Sequence, residues 1–238
     1  MSDSKFSFKQ FELHQELCAM KVGTDSVLLG AWAKLPEQGR ILDIGCGTGI
    51  LSLMVAQRAS GLSVTAIEID PRATLQAQEN VAQSPWRERI EVINGDFTQT
   101  AGSLGRVFDS IISNPPYFEQ SLLSPDNART TARHTTSLSY DAIFRQARDI
   151  IKPDGNISLV IPADLYTQVN HTAMLYGWGA SRLTMVRTTP RKQPKRALCE
   201  WRRNHFAPCR EEILTLHTGD GEYSDEYKCL TKEFYLKF

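Results

Sequence analysis

The chain has 238 residues, 41% of them hydrophobic, and its 27 Lys and Arg are matched by 27 Asp and Glu. Such a length can bury a full core without a second one, so one domain spanning residues 1–238 is expected. No apolar run approaches the about 18 residues of a membrane-spanning helix, and the opening "MSDSKFSFKQ" lacks a basic-then-apolar signal pattern, which points to a cytoplasmic protein without membrane contact.

In chain order, residues 1–23 place Phe6, Phe8, Phe11, Leu13 and Leu17 at mixed spacing, which suits a short hairpin or lid. Helical patterns at 24–34, 49–59, 71–83, 139–151 and 163–175 then alternate with apolar runs at 40–44, 63–68, 90–94, 107–112, 155–161 and 181–187 that read as strands. These strands hardly alternate between apolar and polar positions, so both of their faces must be covered. The expectation is an α/β, doubly wound, Rossmann-like fold with a mostly parallel sheet and helices on both faces. "ALCEWRRNHF" reads as an antiparallel return strand, the seventh of the sheet. Residues 113–138 form one long loop, far beyond the usual connection of about 4 to 6 residues, and such loops tend to be functional or disordered.

The zero net charge hides an asymmetry. From Arg182 to Arg210 nine Lys or Arg stand against one acid, Glu200, whereas from Glu211 to Phe238 three Lys stand against seven acids. The 188–210 segment therefore suits a polyanionic partner. Five cysteines, Cys18, Cys46, Cys199, Cys209 and Cys229, form neither a CxxC pair nor a Cys/His cluster. No metal site is expected from them, and their odd number fits a reducing compartment.

"ILDIGCGTGIL" carries the cofactor signal. A strand runs directly into Gly45, Gly47 and Gly49, whose missing side chains permit a tight turn and close backbone approach by a ligand. Glu68 ends the next strand, where a carboxylate can accept both hydroxyls of a ribose. A dinucleotide site would read GxGxxG and cradle a pyrophosphate on free amides. Here the spacing is GxGxG, preceded by Asp43, an acid that repels phosphate and suits a cationic nucleoside such as S-adenosyl-L-methionine. The pattern resembles the Rossmann-like S-adenosylmethionine-dependent methyltransferases. That resemblance implies Asp43 near the methionine moiety, Glu68 on the ribose, and Asp96 with Phe97 in "NGDF" flanking the adenine; helix capping is the other reading of Asp96.

"SNPPY", residues 113–117, ends the fourth strand and faces the same crevice, since ligands of open α/β sheets bind outside the carboxyl ends of the strands. The two prolines rule out continuation of the strand and fix the turn. An exocyclic amine is a weak nucleophile because its lone pair is delocalised. The Asn114 side-chain oxygen and the Pro115 carbonyl can each take one amine hydrogen and localise that pair, Pro116 stiffens the arrangement, and Tyr117 offers a ring for stacking. The turn resembles that of the amino-group methyltransferases, which act on adenine N6, cytosine N4, guanine N2 or a glutamine amide.

Over nearly the whole chain, "CAMKVGTDSVLLGAW", "ILDIGCGTGIL", "IEID", "GDF", "ISNPPYF" and "ARHT" look like the bacterial tRNA(Val) adenine-N6 methyltransferases. The resemblance implies methylation of the adenosine 3′ of the anticodon, position 37, and a tRNA anticodon stem-loop as partner. It also implies that Lys21, Gly23, Thr24 and their neighbours close over the methionine end of the cofactor. Read from the residues, Thr24 can cap a helix beginning at Asp25, and Lys21 either meets the cofactor carboxylate or is a solvated lysine. With no target-recognition insert, RNA contact falls to Arg191, Lys192, Lys195 and Arg196, with Arg187, Arg202 and Arg203 nearby, and to Arg129, Arg133 and His134 in the long loop. Trp201 is expected in the core, with base stacking as its other reading. A release-factor glutamine methyltransferase, a guanine-N2 ribosomal RNA methyltransferase and a non-catalytic RNA-binding module are the alternatives; a monomer is favoured.

Overall fold

The computed structural model describes residues 5–18, 21–116 and 138–237. A hairpin of β1 (Lys5–Ser7) and β2 (Glu12–His14) precedes α1 (Thr24–Trp32). The main sheet is then built by β3 (Gln38–Ile44), β4 (Gly61–Glu68), β5 (Ile90–Asn94), β6 (Phe108–Ser113), β7 (Ile151–Pro162), β8 (Trp178–Arg187), β9 (Arg196–Arg203) and β10 (Arg210–Thr215). Between them lie α2 (Ile50–Arg58), α3 (Pro71–Ala82), α4 (Phe97–Thr100), α5 (Tyr140–Ile150) and α6 (Tyr166–Leu175), and α7 (Asp225–Thr231) follows the last strand.

The strand order is β10-β8-β9-β7-β6-β3-β4-β5, and only β9 runs antiparallel to its neighbours. Adjacent apolar residues on one strand feed opposite cores, as the two-residue pleat requires. Ile41, Ile112, Val160 and Leu198 pack with α1, α2, α7 and the hairpin. Their neighbours Leu42, Ile111, Ile161 and Ala197 pack with α4, α5 and α6. The doubly wound arrangement is therefore present.

The sheet has eight strands where the sequence reading expects seven. The added strand, "REEILT", pairs in parallel with β8 from Arg210↔Arg182 to Thr215↔Arg187. Half of its residues are charged, an edge-strand composition that masks a strand pattern. Trp201 is fully buried: its ring packs edge-on against Phe144, and its Nε1 donates to Asn170 Oδ1 at 2.9 Å. It belongs to the core.

Contacts at Gly30, Arg58, Asn80 and Gln76 fix the elements beside the open edge of the sheet. Gly30 lets α1 approach α2, because a Cβ there would lie 2.6 Å from Met54 Sδ. The Arg58 guanidinium of α2 donates to the carbonyls of Gly30 and Ala33 and so satisfies the end of α1. On α3, Asn80 is buried and its amide joins three segments: Nδ2 donates to the carbonyls of His14 and Thr48, each at 2.9 Å, and Oδ1 accepts from His14 N at 2.8 Å. One turn earlier, Gln76 Oε1 accepts from Leu17 N. The N-terminal segment is thus pinned to the helix that backs the glycine loop.

Removing the Asn80 amide would take its partner from the part-buried N–H and carbonyl of His14 and from the buried carbonyl of Thr48. Asn80→Ala is expected to cost about 2–4 kcal/mol in urea unfolding and to speed amide exchange in residues 5–18. An unchanged unfolding midpoint would contradict this role.

Candidate active site

The carboxyl ends of β3, β4, β5 and β6 lie side by side in the sheet, and each delivers part of the site. After β3 the chain turns through Gly45, Gly47 and Gly49 with φ of 69°, 55° and 83°, the left-handed region that disfavours a side chain. A Cβ at Gly45 or Gly47 would meet no heavy atom within 4 Å. The turn thus needs glycine for its backbone, and the space above it is open to a ligand.

Glu68 organises this turn. It is 8% exposed; its Oε2 accepts from Gly47 N at 2.8 Å and its Oε1 from Asp70 N at 3.0 Å. Gly45 N and Cys46 N meanwhile donate to the Ile67 carbonyl. A carboxylate has about four lone-pair positions, so two backbone bonds leave capacity for a vicinal diol. Ile69, 48% exposed directly after Glu68, supplies an apolar surface at the same strand end.

Asp43 is fully buried beneath the loop, and its Oδ2 accepts from Ser52 Oγ at 2.7 Å. Its Oδ1 has no hydrogen-bond partner among the described residues. Burial pushes its carboxyl from 3.8 up to about 7; the Ser52 hydrogen bonds oppose that rise, and the charge of Glu68 adds to it. An orphaned buried carboxylate oxygen under an open glycine turn fits a cationic ligand and disfavours phosphate. Cys18 and Cys46 stand nearby as thiols: burial first, then neighbouring carboxylates, push Cys18 up to about 11 and hold Cys46 well above the usual thiol range. Neither is a thiolate nucleophile at neutral pH.

Asp96 caps α4. Its Oδ1 accepts from Thr98 N at 2.8 Å and from Thr98 Oγ1 at 2.7 Å. The Phe97 ring is buried in the core under α4 and α5 and so is not presented to a ligand as a stacking surface. Of the two readings of Asp96, capping is the one its contacts display.

At the end of β6, Ser113 Oγ donates to the Ile44 carbonyl at 2.6 Å, tying the Asn114-Pro115-Pro116 turn to the strand that carries the glycine loop. Asn114 Nδ2 donates to Ser26 Oγ in α1 at 2.9 Å, which sets the direction of its amide plane. Pro115 is buried and Pro116 exposed. Tyr117, Arg129, Arg133 and His134 lie outside the described residues.

The segment before α1 is arranged differently from the expectation. Gly23, extended at φ −118°, occupies the N-cap, and Thr24 is the first helical residue. Thr24 therefore does not cap a helix starting at Asp25; the extended backbone before it ends one residue sooner. Lys21 Nζ donates to the Gln15 carbonyl at 2.8 Å, and Gln15 Oε1 accepts from Val22 N at 2.8 Å. In the basic stretch, Arg191, Lys192 and Lys195 are exposed on the β8–β9 connection. Arg196 instead opens β9 and pairs with Asp25, while Arg202 pairs with Glu200. Arg187 donates to Thr215 Oγ1 and the Pro190 carbonyl.

Ser26, Ser52 and Asn80 escape the sequence reading. The signal for Asn80 was its polarity at the spacing i, i+4 from Gln76 on a helix face that otherwise carries Ala73, Ala77 and Val81. Ser26 and Ser52 carry no comparable local sign.

The fold and the loop define a Rossmann-like methyltransferase, and the family model described as methyltransferase small domain matches residues 17–175. Among solved structures, an Agrobacterium tumefaciens protein described as a predicted O-methyltransferase superposes with a TM-score of 0.68 at 23% identity, over 88% of this chain and 96% of that one. A Pyrococcus horikoshii protein solved in complex with MeSAdo superposes with a TM-score of 0.55 at 16% identity, over 82% of this chain and 69% of that one. Two curated relatives carry the name tRNA1(Val) (adenine(37)-N6)-methyltransferase. The one from Bacteroides thetaiotaomicron is 46% identical over 99% of both chains. The one from Tolumonas auensis is 44% identical over 100% of this chain and 99% of its own. The chain belongs to this family of tRNA1(Val) (adenine(37)-N6)-methyltransferases.

The raised carboxyl of Asp43 has a signed consequence for stability. Between about pH 4 and 7 the folded chain holds a proton that the unfolded chain has released, so this contribution is full below about pH 4 and lost as pH rises through about 7. Asp43→Asn, which keeps the shape without the charge, is expected to gain urea midpoint over wild type as pH goes from 5 to 8. A gain that shrinks over that range would contradict the burial of an uncompensated carboxylate.

Proposed function

We propose that this protein transfers the methyl group of S-adenosyl-L-methionine to the exocyclic N6 amine of the adenosine 3′ of the anticodon in tRNA(Val). The observation that carries the reading is the placement of Asn114-Pro115-Pro116 at the end of β6, bonded through Ser113 to the strand bearing the glycine loop. Full-length similarity to relatives named for this activity supports the choice of amine and of tRNA.

S-adenosyl-L-methionine, when bound, supplies a methyl group on a sulfonium cation. The Asp43 carboxylate answers positive charge on the cofactor, Glu68 accepts from the ribose hydroxyls, and Ile69 with the Phe97 amide borders the base. Asn114 Oδ1 and the Pro115 carbonyl accept the two hydrogens of the target amine. That draws the nitrogen toward tetrahedral geometry and frees its lone pair for direct displacement. Because the proline pair and the Ser26 hydrogen bond hold these acceptors beforehand, little reorganisation accompanies the reaction. After transfer the methylated nitrogen carries a positive charge and is far more acidic, and it releases one proton to solvent water to give the neutral secondary amine.

RNA contact in this reading belongs to the exposed Arg191, Lys192 and Lys195, which meet phosphates and orient the stem-loop without reading sequence. The active chain is expected to be a monomer in the cytoplasm.

Unmodified tRNA incubated with methyl-labelled cofactor and digested to nucleosides is expected to yield N6-methyladenosine. Asn114→Ala should lower kcat by about 10²–10³-fold while leaving cofactor affinity within about twofold, because the amide serves the target amine. Label appearing in N2-methylguanosine or in a release-factor peptide, or a fully active Asn114→Ala, would overturn the assignment.

A further inference from the structure

Arg196 sits at the point where three parts of the site meet. It is the first residue of β9 and stands opposite Pro162 at the end of β7 and beside Val186 near the end of β8. It therefore emerges at the same edge as the glycine loop, directly after the exposed basic connection. Its Nε donates to Asp25 Oδ2 at 2.7 Å, and both side chains are about two-thirds withdrawn from solvent, at 34% and 26% exposure. Its NH1 donates to the Lys195 carbonyl at 3.0 Å, which turns the guanidinium back onto its own loop.

Asp25 is in the first turn of α1, a helix whose N-cap is a glycine without a side chain to satisfy the free amides. A carboxylate in this turn opposes the positive end of the helix dipole, and the guanidinium holds that carboxylate in place. The next residue, Ser26, receives the Asn114 amide. A continuous path of contacts thus runs from the basic connection through Arg196, Asp25 and Ser26 to the group that meets the target amine.

We propose that Arg196 is a positioning residue: through its ion pair with Asp25 it fixes the first turn of α1, and thereby the orientation of Asn114, rather than serving as a phosphate contact. This rests on the proposed methyl transfer to an RNA amine for its kinetic part and stands apart from it for its structural part. A partly withdrawn, bidirectionally bonded guanidinium is poorly placed to release its carboxylate for a phosphate. The neighbouring Arg191, Lys192 and Lys195 are the exposed members of the stretch.

The test compares Asp25→Ala, Arg196→Ala, the double variant, Arg196→Lys and the triple variant Arg191→Ala, Lys192→Ala, Lys195→Ala. Hydrogen exchange without tRNA reads residues 21–32, and steady-state assays read kcat, the KM for tRNA and the salt dependence of binding. Both single variants are expected to exchange faster across the first turn of α1 and to lose about three- to tenfold in kcat, with tRNA affinity and salt slope near wild type. The double variant should be no worse than either single one, as for two groups acting as a unit, and Arg196→Lys should recover part of the loss. The triple variant should show the converse: weaker tRNA binding and a shallower salt slope, by about 0.9 per lost phosphate contact. Unchanged exchange in α1, additive losses in the double variant, or a flattened salt slope in Arg196→Ala would each overturn the proposal. Failure of the wild type to form N6-methyladenosine would instead count against the function, and the exchange measurement would still decide the role of the pair.

Discussion

The site is built around one buried carboxylate. Glu68 accepts from Gly47 N with one oxygen and from Asp70 N with the other, and so fixes both the glycine turn after β3 and the entry into α3. Gly45 N and Cys46 N reach the Ile67 carbonyl and Gly49 N the Cys46 carbonyl, and the Glu68 carboxylate takes the amide of Gly47 between them. Burial raises the proton affinity of Asp43 and the charge of the same carboxylate adds to it, while one Asp43 oxygen has no partner among the described residues. One unpartnered carboxyl oxygen therefore lies beneath the open glycine turn among the described residues.

Around this centre the protein spends its long-range hydrogen bonds on bringing separate segments to the same edge of the sheet. Asn80 joins the N-terminal hairpin to the glycine loop, Ser113 joins the double-proline turn to β3, and Ser26 joins that turn to α1. Each is a side-chain amide or hydroxyl that meets a polar group withdrawn from solvent in part or in full, and such groups are costly to leave unsatisfied. The result is a set of acceptors and charges that precede the ligand.

The parts of this account that the sequence makes legible are those in which local spacing fixes local geometry. The glycine turn, the acid one strand later and the double proline after β6 are such parts, because each dictates its backbone within a few residues. The alternation of apolar runs with helical periods likewise yields the doubly wound sheet and the antiparallel β9. What escapes is set by contacts between distant positions. Ser26 and Asn114 are 88 residues apart, and Arg196 and Asp25 are 171 apart, so nothing beside either partner marks the pair. Arg196 reads in the sequence as one more basic residue of its stretch, and its ion pair with Asp25 appears only in the fold. Strand β10 escapes because "REEILT" is dominated by charge, and the cap of α1 shifts by one residue because Gly23 adopts the extended backbone that Thr24 would need.

In the proposed function, Glu68 holds both the glycine turn and the ligand with one carboxylate. Calorimetric titration of S-adenosyl-L-methionine into the wild type and Glu68→Gln tests it most directly, since the amide can still accept from Gly47 N but loses the charge and one oxygen acceptor. The account predicts a retained fold with cofactor affinity lower by at least about tenfold, the scale of a lost charge-assisted hydrogen bond. Equal affinity in the two proteins would contradict it.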